Sequence, residues 1–242
     1  MEQTSTSTKL DFYPFAYALF DECLEKHCWY CLDDEKKLNL GWKDHKFECK
    51  GINSNYGKVP DIEVRLLGRI VWRHKAILCG VDKKDNDFYK DRTSKRKIME
   101  IWAHTERIKN DKYALKKFES IYEQLCRFYD PKAMLNKQTV FELHCRDFIN
   151  RHAISDKHYL REIGKGLYLD LCAYDHSCRP NTVYSCNSFI ATLRSLNPQV
   201  NISDCSSTFY SYIDLLCTKQ DRKKLLKGRE PISCLIDNWG VY

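Results

Sequence analysis

Residues 174–181 read YDHSCRPN. Within a few positions they set a carboxylate (Asp175), an imidazole (His176), a thiol (Cys178) and a proline. Three chemistries are open to such a set: a thiol nucleophile served by a histidine base, half of a metal site, or a backbone turn that holds a ligand. The nucleophile is the weakest reading. Residues two apart in a tight turn rarely present sulfur and imidazole to one another, and no third group that would orient the base is evident.

A second constellation lies far upstream. Cys28 and Cys31 form a C-x2-C pair, and His45 and Cys49 an H-x3-C pair, with thirteen residues between the pairs. Three thiolates and one imidazole can bind one zinc tetrahedrally, and both spacings suit that geometry. Cys23 and His27 are spare ligands just before it. The chain has 13 cysteines in all. Without a secretory leader, disulfides are not expected and metal ligation is the expected use of clustered thiols. Cys79, Cys126, Cys145 and Cys172 sit among apolar residues and are expected to be small core residues.

The bulk numbers narrow the classes. A chain of 242 residues, 43% hydrophobic and 30% charged, has the composition of a globular protein. No apolar run approaches the roughly 20 residues of a membrane span, and the start MEQTSTSTKLDF has no apolar signal core. An intracellular protein of the cytoplasm or nucleus, with no membrane partner, is the expectation. Net charge is +7, but the basic runs at 90–97 and 221–229 read as solvated faces, so nucleic acid is not expected as the primary partner.

These residues need elements to position them. Residues 10–20 read as an aromatic-rich strand, and 53–61 as a linker. Asp61 is placed to cap a helix carrying Ile62, Leu66, Leu67, Ile70 and Val71 at helical spacing. A helical block follows over about 94–128. In it Ile98, Ile101, Trp102 and Ile108, then Leu115, Phe118, Ile121, Tyr122 and Leu125 recur at steps of three and four. A shorter helix is expected near 137–148. Beyond Asn150 short apolar runs alternate with turn residues, and Cys186–Ser188 is expected to turn a hairpin. Thr218 starts a last helix, with Asp221 as its capping-box partner and Gly228 as its stop. The fold class is α+β.

Several segments together resemble the SET-and-MYND-domain lysine methyltransferases. PFAYAL is similar to the strand before their zinc finger; CWYC and WKDHKFEC resemble the finger's first and last ligand pairs; VRLLGRI resembles the start of their helical insert. IGKGLYLDLCAYDHSCRPN resembles the segment ending in N-H-S-C-x-P-N, and FYSYIDLLCTKQDRKKLL the strand, tyrosine and helix that follow it. The resemblance implies a SET-type core of small sheets with a pseudoknot, interrupted by a reduced MYND-like finger and a helical insert. It divides the chain into a first SET strand (1–22), the finger (23–50), the insert (51–130), the SET core (131–217) and a C-terminal helix and tail (218–242). It implies protein-lysine methylation from S-adenosylmethionine, on a histone or another protein; nothing in the sequence sets the oligomeric state, and a monomer is the expectation. Gly164, Gly166, Asp175, His176 and Asn181 would bind the cofactor, Asn181 also pinning the turn, and Tyr212 would stand beside the target lysine. Cys28, Cys31, His45 and Cys49 would hold one structural zinc.

Four departures qualify that expectation. No glycine-rich cradle precedes the first strand; the finger's middle four ligands are missing; Asp175 stands where the family has asparagine; and the tail has only Cys234 in place of a cysteine triplet. Aspartate accepts hydrogen bonds when ionised and cannot donate them, yet it can pair with the cofactor's ammonium group. Cys178, left with one partner, is expected to be a plain buried thiol. The missing cradle and tail favour a second expectation, a non-catalytic SET-like scaffold that keeps the fold. The zinc expectation is decided by metal analysis of the purified chain. It requires about one equivalent, and less than about half an equivalent removes the single tetrahedral site.

Overall fold

The computed structural model describes residues 8–23, 60–80, 94–129, 131–156 and 161–226. They fall into two compact units. One takes described residues 8–12, 171–185 and 191–226; the other takes 13–170 and 186–190 as far as these are described.

The expected strand over 10–20 is two strands, β1 (Lys9–Phe12) and β2 (Ala16–Leu19). Pro14 lies between them; it has no N–H to give a ladder, and the chain changes sheet there. In the larger unit β2 is an edge strand of a three-stranded antiparallel sheet. Its central strand is β4 (Glu162–Leu167) and its other edge is β3 (Arg151–Ser155).

Helix α1 (Ile62–Leu78) closes the open edge of β2. Asp61 caps it as expected, accepting from the amides of Glu63 and Val64, and Gly80 ends it at φ +69, where a Cβ would be strained. Val64, Leu66, Leu67, Ile70 and Val71 are buried. So are three arginines of the same helix, Arg65, Arg69 and Arg73. Arg65 donates to the Leu19 carbonyl at 2.7 Å, Arg69 to the Tyr17 carbonyl at 2.5 Å, and Arg73 to the Phe15 carbonyl at 2.6 Å. The match is geometric. Four residues of helix rise about 6 Å and two residues of strand about 6.8 Å, so one arginine per turn meets every second carbonyl. Arg69 also lies over the Tyr17 ring, 4.1 Å from its centroid, and Arg73 over Phe15 at 4.6 Å. Carbonyls that would otherwise template another strand are thereby satisfied.

The expected helical block over 94–128 is interrupted. After one tight turn at Ile98–Glu100 the chain is extended, His104 adopts a left-handed φ of 46, and only then does α2 (Thr105–Asn110) begin. Trp102, expected on an apolar face, is 62% exposed. Asp111 caps α3 (Lys112–Phe128), whose Phe118, Ile121 and Leu125 are buried. Phe118 meets Phe141 of α4 (Lys137–Asn150) edge-on, ring centroids 4.8 Å apart.

The smaller unit holds most of the sheet β1–β7–β6, from β6 (Thr182–Asn187) and β7 (Ile190–Ser195). The hairpin turn is at Ser188–Phe189, with Ser188 at φ +56; Cys186 and Asn187, expected in the turn, are still strand. The unit also holds a parallel two-stranded pair, β5 (Asp175–His176) with β8 (Phe209–Tyr210). Helix α5 (Lys219–Leu226) starts as expected: Thr218 accepts from the Asp221 amide and donates to its carboxylate. Of the four cysteines expected in the core, Cys145 is buried and Cys172 half-buried, while Cys79 and Cys126 are exposed. Both exposed ones lie at or near helix ends, where an apolar neighbour in sequence need not be a neighbour in space.

His144 of α4 is buried beside Phe118, and burial, assisted by the Arg151 charge, pushes its pKa down to about 4. Unfolding returns it to about 6.5. The unfolded chain then binds a proton that the folded chain refuses. Stability is full above about pH 6.5 and falls by roughly 3 kcal/mol as pH drops to about 4. The neighbouring Asp147, raised by burial against the pull of Arg151, opposes this where it titrates. Urea unfolding at pH 7 and pH 4.5 is expected to show the loss in the native chain and a smaller one in His144→Leu. Equal losses would contradict the assignment.

Candidate functional site

The segment YDHSCRPN lies within the smaller unit, crossed by residues 207–212 of the same unit. The crossing is hydrogen-bonded from both sides. The Asn181 amide donates to the Phe209 carbonyl at 3.2 Å, and the Phe209 amide donates to Asn181 Oδ1 at 2.8 Å. Asn181 Nδ2 donates to the Ser207 carbonyl at 2.7 Å, and the Thr182 hydroxyl donates to the Phe209 carbonyl at 2.7 Å. Asn181 thus spends both ends of its amide on a segment 28 residues later in the chain. Next to it, β5 and β8 pair in parallel, Asp175 with Phe209 and His176 with Tyr210.

His176 is 1% exposed and both ring nitrogens are engaged. Nδ1 accepts the backbone N–H of Tyr212 at 3.0 Å, and Nε2 lies 3.4 Å from the Cys178 sulfur. Sulfur and imidazole therefore do face one another, which sequence spacing did not lead one to expect. A nitrogen that accepts an N–H carries no proton of its own, so the ring proton sits on Nε2 and points at sulfur. That polarity is the reverse of what a base for Cys178 needs. The thiol nucleophile is excluded on geometry, and Cys178, half-buried, is a hydrogen-bond partner of His176.

Tyr212 lies just beyond β8, which ends at Tyr210. The Tyr212 hydroxyl donates to the Tyr174 carbonyl at 2.6 Å. Its ring meets His176 at 5.3 Å and Tyr210 at 4.8 Å, and Tyr184 meets Tyr210 at 5.8 Å. Asp175 is an exposed residue whose carboxyl is only partly desolvated, and that desolvation raises its pKa. The structure thus brings Asp175, His176, Asn181 and Tyr212 together. Sequence reading did not assign a role to Tyr210, and its signal was only its place two residues before Tyr212.

Gly164 and Gly166 belong to β4 in the larger unit. A Cβ on Gly164 would sit 2.3 Å from the Ala18 carbonyl oxygen, and one on Gly166 2.9 Å from the Tyr168 ring and 3.1 Å from Ile154. Close strand packing already requires both glycines. Cys28, Cys31, His45 and Cys49, with the expected linker as far as residue 59, the Gly228 stop and Cys234, lie outside the described residues. Among the described residues no three His, Cys, Asp or Glu side chains are grouped to hold a metal. No described helix is long and apolar enough to cross a membrane.

No family model matches the chain. It is similar to N-lysine methyltransferase SMYD2-B of Danio rerio, 28% identical over 220 residues, covering 86% of this chain and 45% of that protein. It is 26% identical over 207 residues to histone-lysine N-methyltransferase SMYD3 of Homo sapiens, covering 85% and 45%. With N-lysine methyltransferase SMYD2 of Homo sapiens it shares 25% identity over 246 residues, covering 91% and 52%. The relatives found are SMYD lysine methyltransferases. The chain spans about half the length of these curated relatives.

The His176 geometry has a stability consequence. His176→Ala removes the buried imidazole and the acceptor of the half-buried Tyr212 amide, and is expected to cost about 2 kcal/mol. His176→Asn, whose side-chain oxygen can stand in for Nδ1, is expected to recover about half of that in urea unfolding. Equal losses in the two variants would contradict the acceptor role.

Proposed function

We propose that this chain is a divergent SET-type protein-lysine methyltransferase, moving a methyl group from S-adenosylmethionine to a lysine of a histone or another protein. The observation that carries the reading is the fixation of Tyr212 by the YDHSCRPN segment, through its backbone amide and its hydroxyl. On this reading the crossing of 175–181 with 207–212 is the SET pseudoknot. Residues 23–50 are then a reduced zinc finger, 51–130 a helical insert, 131–217 the SET core and 218–242 its C-terminal helix and tail.

The site's residues suit that chemistry. S-adenosylmethionine, when bound, supplies a methyl group on a positively charged sulfonium. A lysine with an ordinary pKa near 10.4 must be neutral to attack it, and a desolvated, tyrosine-lined surface favours the neutral amine. Tyr212 gives its own proton to the Tyr174 carbonyl, so toward a substrate amine its oxygen acts as an acceptor that aims the nitrogen lone pair. The donor set also fits the cofactor at Asp175, a partly desolvated carboxylate whose pKa is raised, which an ammonium group would satisfy. His176 and Asn181 serve the same pocket indirectly, by holding the backbone that shapes it.

A non-catalytic scaffold is the second reading. It draws on the glycines of β4, whose missing side chains are accounted for by strand packing alone.

Calorimetric titration with S-adenosylmethionine separates the two. The methyltransferase reading requires binding at millimolar concentration or below, and no binding sinks it. Tyr212→Phe is expected to slow methyl transfer by roughly tenfold or more while leaving cofactor affinity intact; loss of both together would contradict the role given to Tyr212. Affinity should be full above the Asp175 pKa and weaken as pH falls through it, because the ionised carboxylate is the form that pairs. In Asp175→Asn that acid limb should disappear, and an unchanged limb would remove Asp175 from the site.

A further inference from the structure

The turn that leads into the crossing is gathered by one carboxylate. Asp204 Oδ1 accepts from the Ser206 amide at 3.0 Å and from the Ser206 hydroxyl at 2.6 Å, and Oδ2 accepts from the Ser207 hydroxyl at 2.8 Å. The Asp204 carbonyl accepts from the Thr208 hydroxyl at 2.6 Å. The Ser206 hydroxyl first, then that of Ser207, hold the Asp204 carboxyl below the usual carboxylate range, so it is ionised at neutral pH. Its donors are neutral, and among the described residues it makes no ion pair. This turn stands directly on the pin. The Ser207 carbonyl accepts from Asn181 Nδ2 at 2.7 Å, and two residues on, the Phe209 amide donates to Asn181 Oδ1 at 2.8 Å. Thr208 is sealed from solvent, but Ser207 is exposed.

We propose that Ser207 is a modification site and the release point of the crossing: a phosphoryl group on its hydroxyl turns Asp204 from an acceptor into a repelling neighbour and draws the Ser207 carbonyl away from Asn181. A protein kinase would supply the group from a nucleoside triphosphate. Ser207 Oγ gives its proton to the kinase's base and bonds to the terminal phosphorus, and the bond from that phosphorus to the leaving nucleoside diphosphate breaks. The product has no hydroxyl proton for Asp204 and carries about −1.5 to −2 charge at pH 7. Two anions then face one another where a hydrogen bond of 2.8 Å stood. Phosphate orders a segment when cations receive it and disrupts one when it is set against a carboxylate. Ser206 holds Asp204 in place, so the second outcome applies. Ser206 is the weaker release point, because it makes none of its described hydrogen bonds to Asn181. Freed from Asn181, Phe209 loosens, and with it the pairing of β5 and β8 that sets the Tyr212 amide on His176. On the reading of Tyr212 as the residue beside the target lysine, phosphorylation switches methyl transfer off; the opening itself does not need that reading.

The test installs phosphoserine at position 207 of the full chain during translation and reads amide hydrogen exchange. Phe209 and Tyr212 should each exchange about tenfold faster or more than in the native chain, while the amides of α1 keep native rates. Phosphoserine at position 203, where the native serine is exposed and its hydroxyl makes no described hydrogen bond, should leave both amides at native rates. Ser207→Ala removes the hydroxyl without adding charge and should accelerate them only about threefold. Asp204→Asn in the chain carrying phosphoserine at 207 replaces the repelling charge with an amide that can donate to phosphate. It should bring both rates back to within about threefold of native, and it serves as the test if phosphoserine at 207 alone prevents folding. Native or slower exchange with phosphoserine at 207, equal acceleration with phosphoserine at 203, or no rescue by Asp204→Asn overturns the proposal. None of these readouts needs S-adenosylmethionine. A native chain that neither binds it nor transfers a methyl group overturns the function reading and leaves the release at Ser207 standing.

Discussion

The smaller unit depends on one side chain. Asn181 exchanges hydrogen bonds in both directions with Phe209 and adds a third to Ser207, and so crosses two segments that lie 28 residues apart in the chain. Closing that loop costs conformational entropy, which local contacts must offset. The offset comes from few groups: the Asn181 amide, the Thr182 hydroxyl and the two-residue parallel pair of β5 and β8. A parallel pair this short is weak alone. Pinned at Phe209, it places His176 beside Tyr212, and the remaining geometry of the site follows from that juxtaposition.

The larger unit solves a different problem with the same chemistry. An edge strand leaves carbonyls that must be paired or covered. Helix α1 covers those of β2 with a ladder of buried guanidinium groups, one to each of Phe15, Tyr17 and Leu19. Burying such charges is costly unless each finds acceptors. Carbonyl oxygens and aromatic faces supply them here, and Asp21 adds an ion pair to Arg65 at 2.6 Å. On the opposite side of β2, Gly164 lets β4 approach the Ala18 carbonyl more closely than any side chain permits.

What could be read before the structure was what local rules govern. The Asp61 cap, the apolar stripe of α1 and the capping box at Thr218 all depend on short spacings, whereas the grouping of Asp175, His176 and Asn181 with Tyr212, 36 residues beyond His176, was legible only through the family resemblance. The rest depended on partners distant in the chain. Nothing in the sequence marks Arg65, Arg69 and Arg73 as buried, because charge ordinarily points outward and only the carbonyls at β2 draw them in. The break at His104 hides in a run of helix-compatible residues, since a left-handed backbone at histidine has no sequence signature comparable to glycine's. The facing of His176 and Cys178 required the Tyr212 amide, 36 residues from His176, to turn the ring.

The central claim is that the pin at Asn181 holds Tyr212 in place. It is tested most directly by amide hydrogen exchange at Phe209 and Tyr212 in the native chain and in Asn181→Ala. The two amides are bound to Asn181 Oδ1 and to His176 Nδ1 respectively. Both should be protected in the native chain, and Asn181→Ala should accelerate both together, although Tyr212 makes none of its described hydrogen bonds to Asn181. Acceleration at Phe209 with Tyr212 unchanged, or native exchange as fast as in an unfolded peptide, would contradict the account.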